Sequence, residues 1–481
     1  MICYDQASTR NNKKQQETTR NNKKQQIAII GFGPYCKSLY YKWLCQNSDS
    51  EFELLIDLES QKNEIELYFS DKVIKPRKIV LLPNSERLSS EISQESKSII
   101  LNNIKNIDKV IISTEPKSHF KYQKLLVENN KKILVDKPPL IGFDEKTKQI
   151  KYQKIMEEYE IISQLLSEYP NSSITINCQR RAHKGFQLVN NILKETIDKF
   201  KIPITYIDCS HGGGDWYMPN EMIERENHPY KYGYGKIMHS GYHFLDMLTF
   251  FLKNNNFEKD TKLDIYSRFL TCEDHVGIFN NEFYKKHLQT DYSGIITTES
   301  FKELGEVDSY NLLTFYDKNN KTRTIANLNL MSNTFSQRSW TNLPKDTYKG
   351  NGRVRHERWN IQVGHLLNIH IHSYRSYEKS KIEKVQVIEG EVGSDNHFDV
   401  LIFRNSEIIG GESFEKIEIG GIIPEIMDYS RYECLENFVY DRATNSSFLD
   451  HKQSNLLSSL IYQNLDSQKN NKIPLISTIY V

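Results

Sequence analysis

The sequence predicts an α/β protein with an N-terminal doubly wound parallel sheet and a C-terminal α/β domain on a large, mostly antiparallel open sheet. Continuous apolar strands alternate with helical segments over residues 27–150, as in a parallel sheet buried on both faces. Beyond about residue 255, short strand-like runs are separated by turn residues instead, which favours antiparallel neighbours. The length of 481 residues also favours more than one domain.

Composition and charge exclude several classes of protein. The 63 Lys and Arg residues balance 62 Asp and Glu residues, so no large basic field is available for nucleic acid. No apolar run reaches the roughly 20 residues of a membrane helix, and no apolar signal core lies near the N-terminus. The seven cysteines are scattered without a CxxC pair, which is typical of reduced thiols. We therefore expect a cytoplasmic protein without structural disulfides, nucleic-acid partners or membrane partners.

The first 26 residues have low complexity. The segment TRNNKKQQ occurs at 9–16 and again at 19–26, and it contains no apolar residue. Such a segment cannot bury enough surface to offset the entropy that it would lose on ordering. We predict a disordered tail over residues 1–26.

The first domain, residues 27–150, is predicted to contain five strands. Residues 27–30 form the first strand, and apolar residues at helical spacing follow over 38–44. A second strand over 52–56 ends in Asp57 and completes a β-α-β unit. The remaining predicted elements are strands over 79–82, 109–113 and 132–135 and a helix over 121–129.

The second domain is predicted over residues 151–430, and closing helices over 431–481. It begins with helices over 152–167 and 185–199, each followed by a strand, at 173–178 and 205–209. An apolar helix over 242–252 comes next. The later predictions are strands over 310–315, 324–330, 359–363, 367–372, 384–388 and 398–403, helices over 431–441 and 451–464, and a short strand over 473–476.

A glycine turn after the first strand predicts a dinucleotide site. In Gly31-x-Gly33-x-x-Cys36, the first glycine allows a tight turn and the second lets the backbone approach a pyrophosphate at the helix N-terminus. Cys36 replaces the usual third Gly or Ala and is small enough for close helix packing. The carboxylate of Asp57 would bind the adenosine ribose and repel a 2′-phosphate, which favours NAD over NADP. The alternative is a glycine turn that binds no nucleotide.

Three further motifs resemble those of the Gfo/Idh/MocA family of nicotinamide-dependent oxidoreductases. EPKSH at 115–119 is similar to the family's Thr-Pro-rich turn and histidine after the fourth strand. DKP at 136–138 stands where the family has Glu-Lys-Pro. HSGYHFLD at 239–246 resembles a helix opening Asp-x-x-x-His-x-x-Asp, with His239 in place of the first Asp.

The resemblance covers about residues 27–250, whereas 255–425 contains no motif that we can place. It implies a Rossmann domain and an oxidoreductase that acts on the carbinol of a sugar, polyol or nucleotide sugar, with NAD, or alternatively NADP, as cofactor. It also implies a homodimer or homotetramer. The expected cofactor-binding residues are Gly31, Gly33, Pro34, Asp57, Thr114, Pro116, His119, Asp136 and Lys137.

Oxidation of a carbinol needs a base for the hydroxyl proton and a cation that stabilises the alkoxide. Lys137 suits the second role, and His243 suits proton exchange at neutral pH. His239 is a third catalytic candidate, although it cannot supply the permanent negative charge of the family's Asp. Positions 239, 243 and 246 share one helix face and are expected to point into one cleft. The predicted substrate contacts are Arg180, Tyr217, Tyr242 and Asp246.

Three alternatives stay open at this point. His239 with His243, and His370 with His372, have spacings that can bind zinc, but no HExxH motif is present and we expect no metal. A redox glycosidase is the second alternative, because some members of the superfamily hold NAD tightly, oxidise transiently to eliminate a glycosidic substituent and place His where others have Asp. The third is a nucleotide-binding sensor or regulator of the same fold without turnover.

Overall fold

The computed structural model describes residues 24–257, 261–297, 299–336, 354–375, 397–418, 423–470 and 476–480. Nearly all of the predicted tail, the predicted strand over 384–388 and most of that over 473–476 lie outside these ranges. Within them, every helix is too short or too polar to cross a bilayer. The cysteines in these ranges are free thiols, and all except Cys45 are buried.

A six-stranded parallel sheet forms the N-terminal half of the fold, in the order β3-β2-β1-β4-β5-β8. The change of direction between β1 and β4 is the topological switch of a doubly wound sheet. A small antiparallel hairpin, β6–β7, stands apart from it. These strands are β1 Gln25–Ile30, β2 Ser50–Leu58, β3 Lys78–Leu82, β4 Lys109–Ile112, β5 Lys132–Asp136, β6 Phe143–Asp144, β7 Gln149–Ile150 and β8 Ser173–Asn177.

Helices cover both faces of this sheet. Alternate residues of β1 enter opposite cores, since Ile27 and Ile29 pack with α1 and α2 while Ala28 and Ile30 pack with α3, α4 and α5. This is why β1 is apolar at all four positions from 27 to 30. The helices are α1 over residues 34–46, α2 Lys62–Phe69, α3 Gln94–Ile104, α4 His119–Val127 and α5 Tyr152–Glu168.

A nine-stranded sheet forms the second half, in the order β16-β15-β14-β13-β9-β12-β11-β10-β17. All its neighbouring strands are antiparallel except β9 and β12. The strands are β9 Tyr206–Gly212, β10 Lys262–Thr271, β11 Glu306–Tyr316, β12 Thr322–Met331, β13 Arg355–Val363, β14 Leu367–Arg375, β15 His397–Arg404, β16 Phe414–Glu418 and β17 Ile476–Tyr480.

Three helices cover one face of the large sheet and share a single apolar core with it, namely α6, α8 and α13. The first turn of α8, Ile237–Gly241, is π-helical, and the α-helical part follows as Tyr242–Leu252. The helices of this half are α6 Lys184–Phe200, α7 Pro219–Glu224, α8 over residues 237–252, α9 Cys272–Ile278, α10 Asn281–Leu288, α11 Ser406–Ile409, α12 Ile423–Val439 and α13 Lys452–Lys469.

Both predicted sheets are therefore present, which confirms the fold class. Strand β8, which we assigned to the second domain, pairs with β5 in the parallel sheet. Helix α12, near the C-terminus, contributes Cys434, Leu435 and Phe438 to the core under α1. The chain thus crosses between the two halves after β8 and returns to the first half through α12.

A buried ion pair joins the two halves. Arg181 follows β8, and its Nε and Nη2 donate hydrogen bonds of 2.8 and 2.7 Å to the two carboxylate oxygens of Asp246 on α8. The side chains are 3% and 0% exposed. Asp246 also accepts a hydrogen bond of 2.8 Å from Ser454 Oγ at the start of α13. Three elements from distant parts of the chain therefore meet at one carboxylate.

We expect the Asp246→Asn variant to lose about 3–5 kcal/mol of unfolding free energy, because Arg181 keeps a buried charge without its partner. Denaturant unfolding followed by circular dichroism measures the loss. The control is Asp198→Asn, since Asp198 pairs with Lys194 on an exposed helix face. The control should lose less than about 1 kcal/mol. Equal stability of the two variants would contradict this role of Asp246.

Candidate active site

A cavity of about 880 Å³ lies between the two sheets. From the parallel sheet it is bordered by residues at the carboxyl ends of β1, β2, β4, β5 and β8, which is where doubly wound sheets bind ligands. From the second half it is bordered by the ends of β9, β12 and β14, the start of β13, and helix α8. The cavity therefore brings the predicted glycine turn, DKP motif and catalytic helix to one place.

The glycine turn has the geometry of a nucleotide-binding loop. Gly31 has a φ of +91°, and a Cβ there would lie 2.6 Å from the carbonyl oxygen of Ser113, so a side chain is excluded. Gly33 has no atom within 4 Å of its Cβ position and borders the cavity. Helix α1 begins directly after it. The residues present therefore fit a pyrophosphate at this turn.

Asp57 closes the same end of the cavity. Its Oδ2 accepts a hydrogen bond of 2.8 Å from the backbone N–H of Phe32, and its Oδ1 accepts one of 2.7 Å from that of Leu58. Burial raises the pKa of Asp57, while these two backbone donors act in the opposite direction. The carboxylate is thereby fixed beside the glycine turn, as the ribose contact requires.

Asp136 and Lys137 lie at the end of β5, near the middle of the cavity. Asp136 accepts hydrogen bonds from Tyr40 Oη and from Ser113 Oγ, the latter of 2.7 Å. Asn177 Nδ2 donates to the Tyr40 oxygen at 2.7 Å. Lys137 Nζ donates to the backbone carbonyl of His239. The DKP motif is thus tied to α1 on one side and to α8 on the other.

Burial shifts the pKa values of this pair towards neutrality. Burial raises the pKa of Asp136 to about 6, against the effect of hydrogen bonds from Tyr40, Ser113 and Asn177. The pKa of Lys137 falls to about 8 for the same reason, with Arg180 adding like charge. A carboxylate and an ammonium with pKa values on either side of neutrality are typical of functional sites.

The two histidines of α8 have different partners. His239 is buried, and its Nε2 lies 3.1 Å from the carbonyl oxygen of Pro229. Burial lowers its pKa to about 3. His243 is half-buried and borders the cavity, with Nδ1 3.7 Å from Cys178 Sγ. Burial, with Lys137 and Arg180 nearby, lowers the pKa of His243 well below its usual value. Both rings are therefore neutral at pH 7.

Most of the predicted cofactor residues border the cavity, but His119 does not. It is fully buried, and its two ring nitrogens lie 2.8 Å from the carbonyl oxygen of Pro138 and 3.0 Å from that of Thr114. His119 therefore supports the two loops that border the cavity rather than contacting a ligand. The predicted residues that do border it are Gly31, Gly33, Pro34, Asp57, Thr114, Pro116, Asp136 and Lys137.

Two of the four predicted substrate contacts also lie elsewhere. Arg180 and Tyr217 border the cavity. Tyr242 is fully buried against His451, at 3.2 Å, and Asp246 is held by Arg181. The expectation that positions 239, 243 and 246 point into one cleft is wrong for Asp246, because its carboxylate faces the buried Arg181 instead. Tyr242 and Asp246 therefore stabilise the packing of α8 against its neighbours.

Arg87 and Glu357 border the cavity but were not predicted, because they come from segments without a motif. Arg87 borders the nucleotide end, where its charge acts on Asp57. Glu357, on β13, accepts a hydrogen bond of 2.6 Å from Arg180 Nη2. His211 Nδ1, Tyr234 Oη and Ser240 Oγ are buried at the cavity and have no hydrogen-bond partner among the described residues. Only the three-dimensional structure reveals this group.

The described ranges contain no group of three or more His, Cys, Asp and Glu side chains that could hold a metal ion. The rings of His370 and His372 on β14 are 6.2 Å apart, between their centroids. His239 and His243 face different partners, as described above. Neither of the two histidine pairs considered from the sequence belongs to a group of three such side chains within the ranges that the structure describes.

We expect replacement of Asp136 by Asn to change how stability depends on pH. The folded-state pKa of about 6 exceeds the usual value of 3.8, so the parent loses stability as pH rises through this window. The Asn variant lacks this loss. Its unfolding free energy, relative to the parent, should therefore increase by about 2 kcal/mol between about pH 4 and about pH 7.

Asp144→Asn is a control that titrates outside this range. Hydrogen bonds from Thr147 and Lys154 lower the pKa of Asp144 below its usual value of 3.8, so the parent gains its stability from Asp144 below about pH 4. Between about pH 4 and about pH 7 the curve of the Asp144 variant should therefore run nearly parallel to that of the parent. Parallel pH curves for the Asp136 variant and the parent would show that Asp136 does not titrate as described.

No protein-family model and no curated protein matches the sequence. Solved structures do match it. The aldose-aldose oxidoreductase of Caulobacter crescentus, in complex with glycerol, has a TM-score of 0.53 at 12% identity, over 95% of this chain and 100% of that chain. The scyllo-inositol dehydrogenase of Lactobacillus casei has a TM-score of 0.53 at 11% identity, over 96% and 99%. An oxidoreductase of Agrobacterium radiobacter, in complex with NAD+, L-tartaric acid and magnesium, has a TM-score of 0.52 at 11% identity, over 95% and 98%. The chain therefore shares its fold with these solved oxidoreductases.

Proposed function

We propose that this protein is an NAD-dependent oxidoreductase that transfers a hydride between nicotinamide and the carbinol of a sugar, polyol or nucleotide sugar. One observation carries the proposal: the glycine turn, Asp57, Lys137 and His243 all border one cavity. A nucleotide bound at the glycine turn and Asp57 would meet a substrate bound at Lys137 and His243 at the carboxyl ends of the parallel strands. The likeness to aldose and inositol oxidoreductases supports the same class of reaction.

The dinucleotide would lie along the ends of β1 and β2. The open side of Gly33 admits the pyrophosphate, and the N-terminus of α1 stabilises its charge. Both oxygens of Asp57 keep lone pairs for the ribose hydroxyls after accepting one backbone N–H each. The negative charge of Asp57 disfavours a 2′-phosphate, whereas Arg87 at the same end would attract one. The balance between these two charges sets the preference for NAD over NADP.

When bound, the nicotinamide supplies a hydride acceptor or donor. Lys137, charged at neutral pH, stabilises the alkoxide that develops on the substrate. His243, a neutral imidazole, accepts the hydroxyl proton in oxidation and returns it in reduction. As pH rises through about 8, Lys137 loses its charge and the rate falls.

The substrate end of the cavity suits a ligand rich in hydroxyl groups. Buried polar atoms without a partner cost free energy, and His211, Tyr234 and Ser240 each present one at the cavity. Sugar or polyol hydroxyls can donate to and accept from these atoms.

We expect Asp57→Asn to shift the cofactor preference towards NADPH, because the neutral amide no longer repels a 2′-phosphate. The ratio of the Kd for NADPH to the Kd for NADH should fall about tenfold, as for the loss of about 1.4 kcal/mol. Fluorescence titrations with both reduced cofactors measure the ratio. The matched control is Arg87→Ala, for which the ratio should rise instead. An unchanged ratio for Asp57→Asn would remove Asp57 from the cofactor site.

We expect Lys137→Met and His243→Gln to bind NADH like the parent but to lose turnover at least about 100-fold, the usual contribution of such groups. Lys131→Met and His275→Gln are matched controls, because these residues are buried but lie outside the cavity. NADH absorbance during a screen of sugars, polyols and nucleotide sugars with NAD measures turnover. Variants as active as the parent would overturn the proposal.

The same screen separates the two other functions considered from the sequence. Net formation of NADH marks a dehydrogenase. Cleavage of a glycosidic substrate without a net change in NAD marks a redox glycosidase. Tight binding of NAD without any turnover, unchanged in the Lys137 variant, marks a sensor.

A further inference from the structure

Cys178 lies between the proposed base and the buried ion pair. It follows β8 directly, and its thiol is fully buried. Cys178 Sγ lies 3.1 Å from Asp246 Oδ2 and 3.7 Å from His243 Nδ1. The three side chains therefore form a continuous row, imidazole–thiol–carboxylate, that begins at the cavity and ends at Arg181.

The direction of the two hydrogen bonds follows from the protonation states. Asp246 is ionised, because Arg181 and His451 hold its pKa well below the usual range against burial, so it can only accept. Burial raises the pKa of the Cys178 thiol well above its usual value, so the thiol keeps its proton. That proton must point to Asp246. The sulfur then has only lone pairs to offer to His243.

We propose that Cys178 is a positioning residue that fixes the tautomer of His243. The sulfur accepts the Nδ1–H of the imidazole while the thiol donates to Asp246, which leaves the lone pair of His243 on Nε2. This inference rests on the proposed function for its catalytic meaning, whereas the tautomer itself is a property of the protein alone. Nε2 is therefore the nitrogen of His243 that takes up a proton.

The row of three side chains accounts for where the proton goes in each direction of the proposed reaction. In oxidation, the substrate O–H bond breaks as its proton moves to Nε2 and the carbinol hydride moves to the bound nicotinamide. The imidazolium keeps its Nδ1–H bond to sulfur, and the charge of Asp246 stabilises it through the polarised thiol. In reduction, the same proton returns from Nε2 to the carbonyl oxygen.

Nitrogen-15 NMR on protein labelled at its 14 histidines tests the tautomer without any substrate. The His243 signals are assigned by their loss in His243→Gln. We expect Nδ1 of the parent to be protonated and Nε2 to be unprotonated at pH 7. The Cys178→Ser variant should keep this tautomer, because a hydroxyl can also donate to Asp246 and accept from Nδ1. The Cys178→Ala variant should show a mixture of tautomers.

An Nε2–H tautomer in the parent, or an unchanged tautomer in Cys178→Ala, would overturn the proposal. The first result needs no variant, so the test stands even where Cys178→Ala does not fold. Cys272→Ala is the control, because Cys272 is also a fully buried thiol and lies outside the cavity. It should leave the His243 signals unchanged.

Kinetics with the substrate found by the screen give the second readout. We expect Cys178→Ala to lower kcat about tenfold or more with little change in KM, as expected when a base is held in the wrong tautomer, and Cys178→Ser to restore most of it. Equal kcat for parent and Cys178→Ala would overturn the role of Cys178. If the Lys137 and His243 variants keep full turnover while the tautomer is as described, the proposed function fails and the positioning of His243 does not.

Discussion

The carboxylate of Asp246 is the constraint on which the arrangement of the two halves depends. It is fully buried and accepts hydrogen bonds from Arg181, Ser454 and Cys178. A buried charge is tolerated only when its partners satisfy it completely, so these groups cannot move apart without a large cost in free energy. Helix α8 is thereby fixed against the end of β8, and the position of His243 over the cavity follows.

The same constraint explains how the DKP motif meets α8. Lys137 donates to the backbone carbonyl of His239, not to its side chain. This contact depends on the position of α8 but not on the residue type at position 239. His239 is in turn held through its own Nε2 by Pro229.

Much of the fold could be predicted because β1 to β5 each contain a continuous apolar run and are separated by turn residues. Strand β10 was missed, since Ser267 and Thr271 occupy inward positions and interrupt its apolar pattern. The glycine turn and Asp57 are local signals, and the structure places both at the border of the cavity. Asp246 was not, because α8 is buried on nearly all sides and its first turn, Ile237–Gly241, is π-helical. A π turn holds more residues than an α turn and rotates the later positions away from those of a regular helical wheel.

The residue at position 239 supplies no fixed negative charge beside His243. A neutral His239, whose pKa burial lowers to about 3, supplies no charge to an imidazolium formed at His243. Asp246 supplies it instead, through one intervening thiol at 3.1 and 3.7 Å. A thiol transmits less of a carboxylate's attraction than direct contact does, since charge–charge energy falls with distance. His243 should therefore hold its proton weakly, which agrees with its lowered pKa and favours rapid release of the proton after each turnover.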